Sequence, residues 1–150
     1  MATKIIGLDR LQRKLRQFPK VVEQEIRAEL AQSADEIVAM MKSLAQSDRV
    51  RESIAWTWGD APKGSFAIGS AGTGNLKITI YAGGGEAFMA FWEEFGTAPH
   101  INAGRFAGSQ HPGTAARPFF FVSWRALRKR VRGRVTRAVN KAAKKVAAGG

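Results

Sequence analysis

Seven apolar residues, Val22, Ile26, Leu30, Ala34, Ile37, Met41 and Leu44, recur at intervals of three or four positions. A stripe held this long can be buried only as one face of an extended amphipathic helix; Glu23, Glu29, Asp35, Glu36 and Lys42 fall mostly off it. Upstream, Leu8, Leu11, Leu15 and Phe18 repeat at the same spacing, and Asp9 suits the positive end of a helix. Pro19 interrupts the two runs. It fits the first turn of a second helix better than the interior of one, so the spacing predicts an N-terminal helical hairpin.

After Ser47 the period shortens to two. Ile54, Trp56 and Trp58 alternate with Ser53, Ala55 and Thr57, giving a strand with an aromatic face. A turn at residues 59–64 leads to a second short strand begun by Phe66 and Ile68, closed by glycines 69, 72 and 74. Leu76, Ile78 and Ile80 alternate with Lys77 and Thr79 as a third strand ended by Gly83, Gly84 and Gly85. Three consecutive strands with short glycine-rich links predict an antiparallel meander of three or four strands. Phe88, Phe91, Trp92 and Phe95 then fit a short helix. Residues 96–118, with both histidines and prolines at 99, 112 and 118, show no period and read as a long loop, a kind of segment that is usually functional.

From Pro118 a helical stripe returns through Phe120, Trp124, Leu127, Val131, Val135, Val139, Ala143 and Val146, with most other positions basic. The predicted fold is α+β: N-terminal helices, a small antiparallel sheet and a long basic C-terminal helix over 118–147. At 150 residues it is one ordinary domain, spanning 1–150. Formal charge is +12, and ten Lys or Arg with no acid lie between Arg125 and Lys145. That leaves 14 basic residues against 12 acidic ones, so the excess belongs to one segment. Its candidate contacts with DNA or an acidic partner are Arg125, Arg128, Lys129, Arg132, Arg137, Lys141, Lys144 and Lys145. Base-specific readout is not expected, because no helix-turn-helix pattern surrounds the segment and only Asn140 among its residues has an amide for adenine.

There is no cysteine, which removes disulfides and thiolate chemistry and fits folding in a reducing cytoplasm. Residues 1–7 lack the apolar core of a signal peptide, and no run is long enough for a membrane span. His100 and His111 lie near Glu93 and Glu94, but no third histidine or cysteine completes a metal site. Ser109 precedes His111 without a nucleophile elbow or an orienting acid. Glu93 and Glu94, being adjacent, point to different sides and cannot serve one substrate as an acid/base pair. The glycine runs carry no lysine-plus-hydroxyl ending and are turns rather than phosphate loops. No enzyme, cofactor or metal is expected.

Two motifs remain: Glu94-Phe95-Gly96-Thr97-Ala98-Pro99-His100, and His111-Pro112-Gly113-Thr114-Ala115-Ala116-Arg117-Pro118-Phe119. With the basic helix after them, the Gly7-Leu8-Asp9-Arg10-Leu11 opening and Arg51-Glu52-Ser53-Ile54, they resemble the small tail-component family of long-tailed phages and phage-like particles. This resemblance implies a tail-completion or head–tail joining part of the virion, assembled in the host bacterial cytoplasm and working as a homo-oligomeric ring. Neighbouring neck, tail-terminator or tail-tube proteins would be its partners; the basic helix adds non-specific contact with packaged DNA as a candidate, and the residues point to no membrane. A nucleic-acid-binding protein and a tail-assembly chaperone absent from the mature particle are the alternatives. Residues Phe106-Ala107-Gly108-Ser109-Gln110 lengthen the loop between the motifs. On this reading the loop forms subunit contacts through the residues of the two motifs, with Glu94 and Arg117 pairing to pin its ends.

Overall fold

The computed structural model describes residues 8–71, 74–83 and 87–149. Residue Gly7 of the opening motif, turn glycines Gly72, Gly84 and Gly85, and the side chains of Leu8, Asp9, Leu11, Leu15 and Ile68 lie outside what is described. The chain divides into two compact units, one of residues 1–33 with 128–150, the other of residues 34–127.

Helix α1 runs unbroken over Leu8–Leu44 with Pro19 inside it, so the expected hairpin is a single helix. A proline there removes one backbone bond and crowds the carbonyl four residues back, a penalty of about 3 kcal/mol. Both flanking runs are strongly helical, and the helix continues through the lesion. In the first unit, residues of α1 pair with the later part of α4 (Phe120–Ala148). Arg134 donates to the Ser33 hydroxyl at 3.4 Å, while Lys141 reaches Glu25 at 3.1 Å and Lys145 reaches it too, so the two helices run antiparallel. The ammonium groups of Lys145 and Lys141 hold the Glu25 carboxyl below the usual carboxylate range. Buried Ala138 and Ala142 give α4 a smooth inner face, whereas Ala143, expected on the apolar stripe, is exposed. The burial centre therefore lies along Arg134, Ala138 and Ala142 rather than along the drifting valines.

The second unit is the α+β part. Helix α1 ends at Leu44 and is followed by α2 (Asp48–Ser53). Arg51 closes this corner: its guanidinium donates to the carbonyls of Lys42 (3.0 Å) and Ala45 (2.9 Å), which the end of α1 leaves unpaired. Strands β1 (Ile54–Trp58), β2 (Phe66–Ala71) and β3 (Ile78–Ala82) form an antiparallel sheet. Their order is β1-β3-β2, not the meander order. β3 is the central strand, and among the described residues it is the one enclosed on both faces: Ile78, Thr79, Ile80 and Ala82 are all buried. An edge place would leave that strand half solvated. Thr79 donates its hydroxyl to the Gly59 carbonyl at 2.6 Å, and a bulge between Ala67 and Gly69 shifts the β2 register. Ile37, Val38, Met41, Val50, Ile54, Ala90, Phe119 and Phe120 complete the core, and Trp56 donates its indole N–H to Asp35 at 2.8 Å.

The strand order is open to a direct test, helped by the absence of native cysteine. Ala55 and Tyr81 are opposed across β1 and β3. Ala55→Cys with Tyr81→Cys places two thiols within disulfide reach, about 5 Å between Cα atoms. Ala55→Cys with Ala67→Cys spans two strand spacings, roughly 9.5 Å. Mild oxidation should cross-link the first pair and leave the second free; a meander would cross-link the second.

Candidate subunit-contact site

Helix α3 (Ala87–Phe95) lies wholly within the second unit and turns its polarity inside out. Its inward residues are Ala90, fully buried, and Glu94, 3% exposed. Its aromatics face water: Phe88 is 72% exposed, Phe91 45%, Trp92 51% and Phe95 49%. The i, i+3, i+4, i+7 spacing that predicted the helix ordinarily marks a core face. Here it marks the outer one.

The reason is the work done by the two carboxylates. Glu94 Oε2 accepts from the backbone N–H groups of Phe119 (2.8 Å) and Phe120 (2.9 Å), and Oε1 from that of Phe121 (3.2 Å). These are donors that the start of α4 leaves without a helical partner. Phe119, at the cap position, has no side-chain acceptor, so a residue 25 positions earlier supplies one. Glu93, about 100° around the helix, accepts from the N–H groups of Gln46 and Ser47, the latter at 3.4 Å, where α2 begins. Its backbone carbonyl takes the Arg117 N–H at 2.7 Å. Adjacent acids thus serve two different helix starts. The expected Glu94–Arg117 ion pair is not what pins the loop: Glu94 is enclosed and spent on α4, and Arg117 contributes its backbone while its side chain is exposed.

The loop is an ordered finger. Thr97 and Thr114 exchange backbone bonds of 2.9 and 3.0 Å, and their hydroxyls meet at 2.9 Å. Gly96 (φ 72°) and Gly113 (φ 80°) sit at this crossing in the left-handed region. A Cβ at Gly96 would stand 2.6 Å from the Thr114 carbonyl oxygen, so glycine is required twice over. Beyond Pro99 and before Pro112, β4 (His100–Ile101) pairs with β5 (Gln110–His111). The tip closes on itself: Asn102 N–H donates to the Ser109 carbonyl (2.9 Å), and the Ser109 hydroxyl donates to the Phe106 carbonyl (2.7 Å). Ile101 and Phe106 project from this tip, 70% and 68% exposed.

The histidines stack on each other across the hairpin, ring centres 4.8 Å apart and 17° from parallel. His100 Nδ1 lies 2.9 Å from the Ala98 carbonyl, which makes that nitrogen the protonated one. His111 Nδ1 accepts the Gly113 N–H at 3.0 Å and is the unprotonated one. Both rings therefore support the hairpin, and the described residues bring together no group of three metal-ligating side chains. The Ser109 hydroxyl, turned toward Phe106, is not presented to His111. An open groove between the finger and α3 is lined by Trp92, Glu93, His100, His111, Thr114 and Arg117.

A chain of rings extends the aromatic row across the surface of the unit. Phe66 meets Phe91 at 5.6 Å, Phe91 meets Phe95 at 4.9 Å, and Phe95 meets Phe121 at 6.1 Å. Of the residues named from sequence for the contact, Phe95, Thr97, His100, His111, Pro112, Gly113, Thr114 and Arg117 lie on or around finger and helix, while Glu94 and Phe119 are buried and cannot meet a neighbour. Phe88, Trp92, Ile101 and Phe106 were not singled out for it. The signal for the last two was an apolar side chain amid small and polar loop residues. Of the basic candidates, Arg125 donates to the Phe121 carbonyl at 3.2 Å, Lys141 and Lys145 are engaged by Glu25, and Arg128, Lys129, Arg132, Arg137 and Lys144 are exposed.

Replacing Glu94 by Gln keeps one acceptor oxygen and sets an amide NH2 against either the Phe121 N–H or the N–H pair of Phe119 and Phe120. Glu94→Gln should lower unfolding stability by about 1–3 kcal/mol, read from the urea midpoint, whereas Glu52→Gln on the exposed side of α2 should stay within about 0.5 kcal/mol.

Among known proteins, the family model described as "Bacteriophage HK97-gp10, putative tail-component" matches residues 9–96 of the chain. The match takes in α1, the sheet and all of α3, and stops where the finger begins. No curated protein and no solved structure matches.

Proposed function

This chain belongs to the HK97-gp10-like family of phage tail components, and from that premise we propose that it completes the tail or joins it to the head as a ring of identical copies at the neck. Family membership supports a structural part of the virion; the ring and its place at the neck are our reading. The observation that carries it is the outward aromatic row of α3, inside the family-matched segment. Large exposed apolar patches on small soluble proteins mark interaction sites, and aromatic side chains are the usual anchors of such contacts.

A second copy is the occupant the surface fits best. The unit carries two dissimilar apolar patches, a helix face at Phe88 and Trp92 and a finger tip at Ile101 and Phe106. It is also charge-balanced, with eight basic and eight acidic residues among residues 34–127, so the two patches can meet without net charge repulsion between these units. Unlike patches meeting head to tail generate rings when the rotation closes. Tail-tube, tail-terminator or other neck proteins would then stack above and below, and a gene transfer agent would use the part in the same way.

Light scattering on the purified chain should give a mass several times the 16.3 kDa monomer, and Phe88→Ser with Trp92→Ser should return it to the monomer. Mass spectrometry of purified particles should find stoichiometric copies. A chain that stays at 16.3 kDa at all concentrations and is absent from particles would instead be an assembly chaperone.

A further inference from the structure

The charge of this protein is segregated by unit. Residues 1–33 and 128–150 hold 16 basic and four acidic residues, against eight of each in residues 34–127, so the whole +12 resides in the first unit. Its inner face is set by Arg134, Ala138 and Ala142. Over the outer half of α4, at about 100° per residue, lie Lys129, Arg132, Arg137 and Lys144, all exposed, with Lys129 pointing directly away from the inner face. Together they mark out a band about 22 Å long at 1.5 Å per residue. Glu25, an acid of α1 that meets α4, is held by Lys141 and Lys145.

We propose that this outward ridge of α4 binds the phosphate backbone of duplex DNA without reading its sequence. The proposal goes beyond the ring reading and stands without it. Three features favour DNA over an acidic protein. The residues between the cations are Gly133, Thr136 and Asn140, with no large apolar or aromatic side chain to anchor a protein partner. Phosphate contact asks only for positive charge and donors at intervals along a line. Among the described residues, the exposed aromatic side chains lie in the other unit.

Gly133 adds an independent indication. Glycine is disfavoured in a helix interior, yet it occupies the middle of a 29-residue helix. The Arg137 guanidinium lies 3.2 Å from where its Cβ would stand, with no other group within 4 Å but that same guanidinium carbon. The missing side chain leaves room for the Arg137 guanidinium to lie back along the helix over Gly133, where it stays on the surface.

The test uses the full chain and a fluorescein-labelled 20-base-pair duplex, titrated from 50 to 200 mM salt. Four phosphate contacts predict a slope of log K against log salt near −3.6, or roughly a 150-fold loss across that range. Two unrelated duplex sequences should give the same result. Lys129→Gln, Arg132→Gln, Arg137→Gln and Lys144→Gln together should flatten the slope by about 3.6, and each alone by about 1. Lys63→Gln with Arg105→Gln, in the other unit, should leave it unchanged. Circular dichroism checks the helices; if the quadruple variant is unfolded, the single variants decide. No duplex binding at 50 mM salt, a slope the ridge variants do not change, or displacement by polyglutamate as effective as by unlabelled duplex would each overturn the proposal. The last would make the ridge a dock for an acidic protein.

Discussion

A single buried carboxylate organises the second unit. Glu94 gathers the N–H groups of Phe119, Phe120 and Phe121, which would otherwise be enclosed without acceptors at a penalty of about 1–3 kcal/mol each. The negative charge also lies against the positive end of α4, where it is most favourable. Because Glu94 and Ala90 must face inward for this, the geometry of α3 leaves Phe88, Phe91, Trp92 and Phe95 on the far side. The aromatic surface is thus a consequence of the cap. So is the finger: α3 ends and α4 begins beside one carboxylate, and residues 96–118 must leave and return at the same point. The Thr97–Thr114 bridge and the close approach at Gly96 and Gly113 are how they do so.

Two contact chemistries are kept apart along the chain. The α+β unit has balanced charge and displays aromatic and aliphatic side chains, while the helical unit holds all the excess positive charge and displays no comparable apolar patch among its described residues. Apolar contact is strengthened by expelling water and is nearly indifferent to salt. Phosphate contact is weakened by salt. Separating the two surfaces lets each be tuned without disturbing the other.

Much of this was legible in the sequence where the signal is local. Periods of 3.6 and 2 placed α1, β1, β3, α3 and α4, and the Lys/Arg run placed the basic face. What failed was non-local or needed an energy balance. Sheet order depends on which strand is buried twice, and β3 at ITIYA looked no different from an edge strand in a meander. Pro19 looked like a boundary because its local penalty was visible and the stabilisation of the whole helix was not. The finger has no period because its order comes from backbone pairing between residues 17 apart, such as Thr97 and Thr114. The Glu94 cap left one readable trace, the start of α4 at Arg117-Pro118-Phe119 without Ser, Thr, Asp or Asn, which meant its acceptor had to come from elsewhere. The histidine pair, which the sequence leaves without a third ligand, uses the Nδ1 atoms of both rings at Ala98 and Gly113 to support the hairpin. The family match itself ends at Gly96, inside the first of the two loop motifs that carried the resemblance, and leaves out the second.

The most direct measurement of the central claim is amide hydrogen exchange at Phe119, Phe120 and Phe121, followed by NMR in the intact chain. These N–H groups sit at a helix start, where exchange is ordinarily fast because no helical carbonyl protects them. Held by Glu94, Phe119 and Phe120 should exchange only through large-scale unfolding, as slowly as the β3 core, with Phe121 close behind. Exchange at the rate of a frayed helix end would mean that the carboxylate does not organise this corner, and that the outward aromatic face of α3 needs another cause.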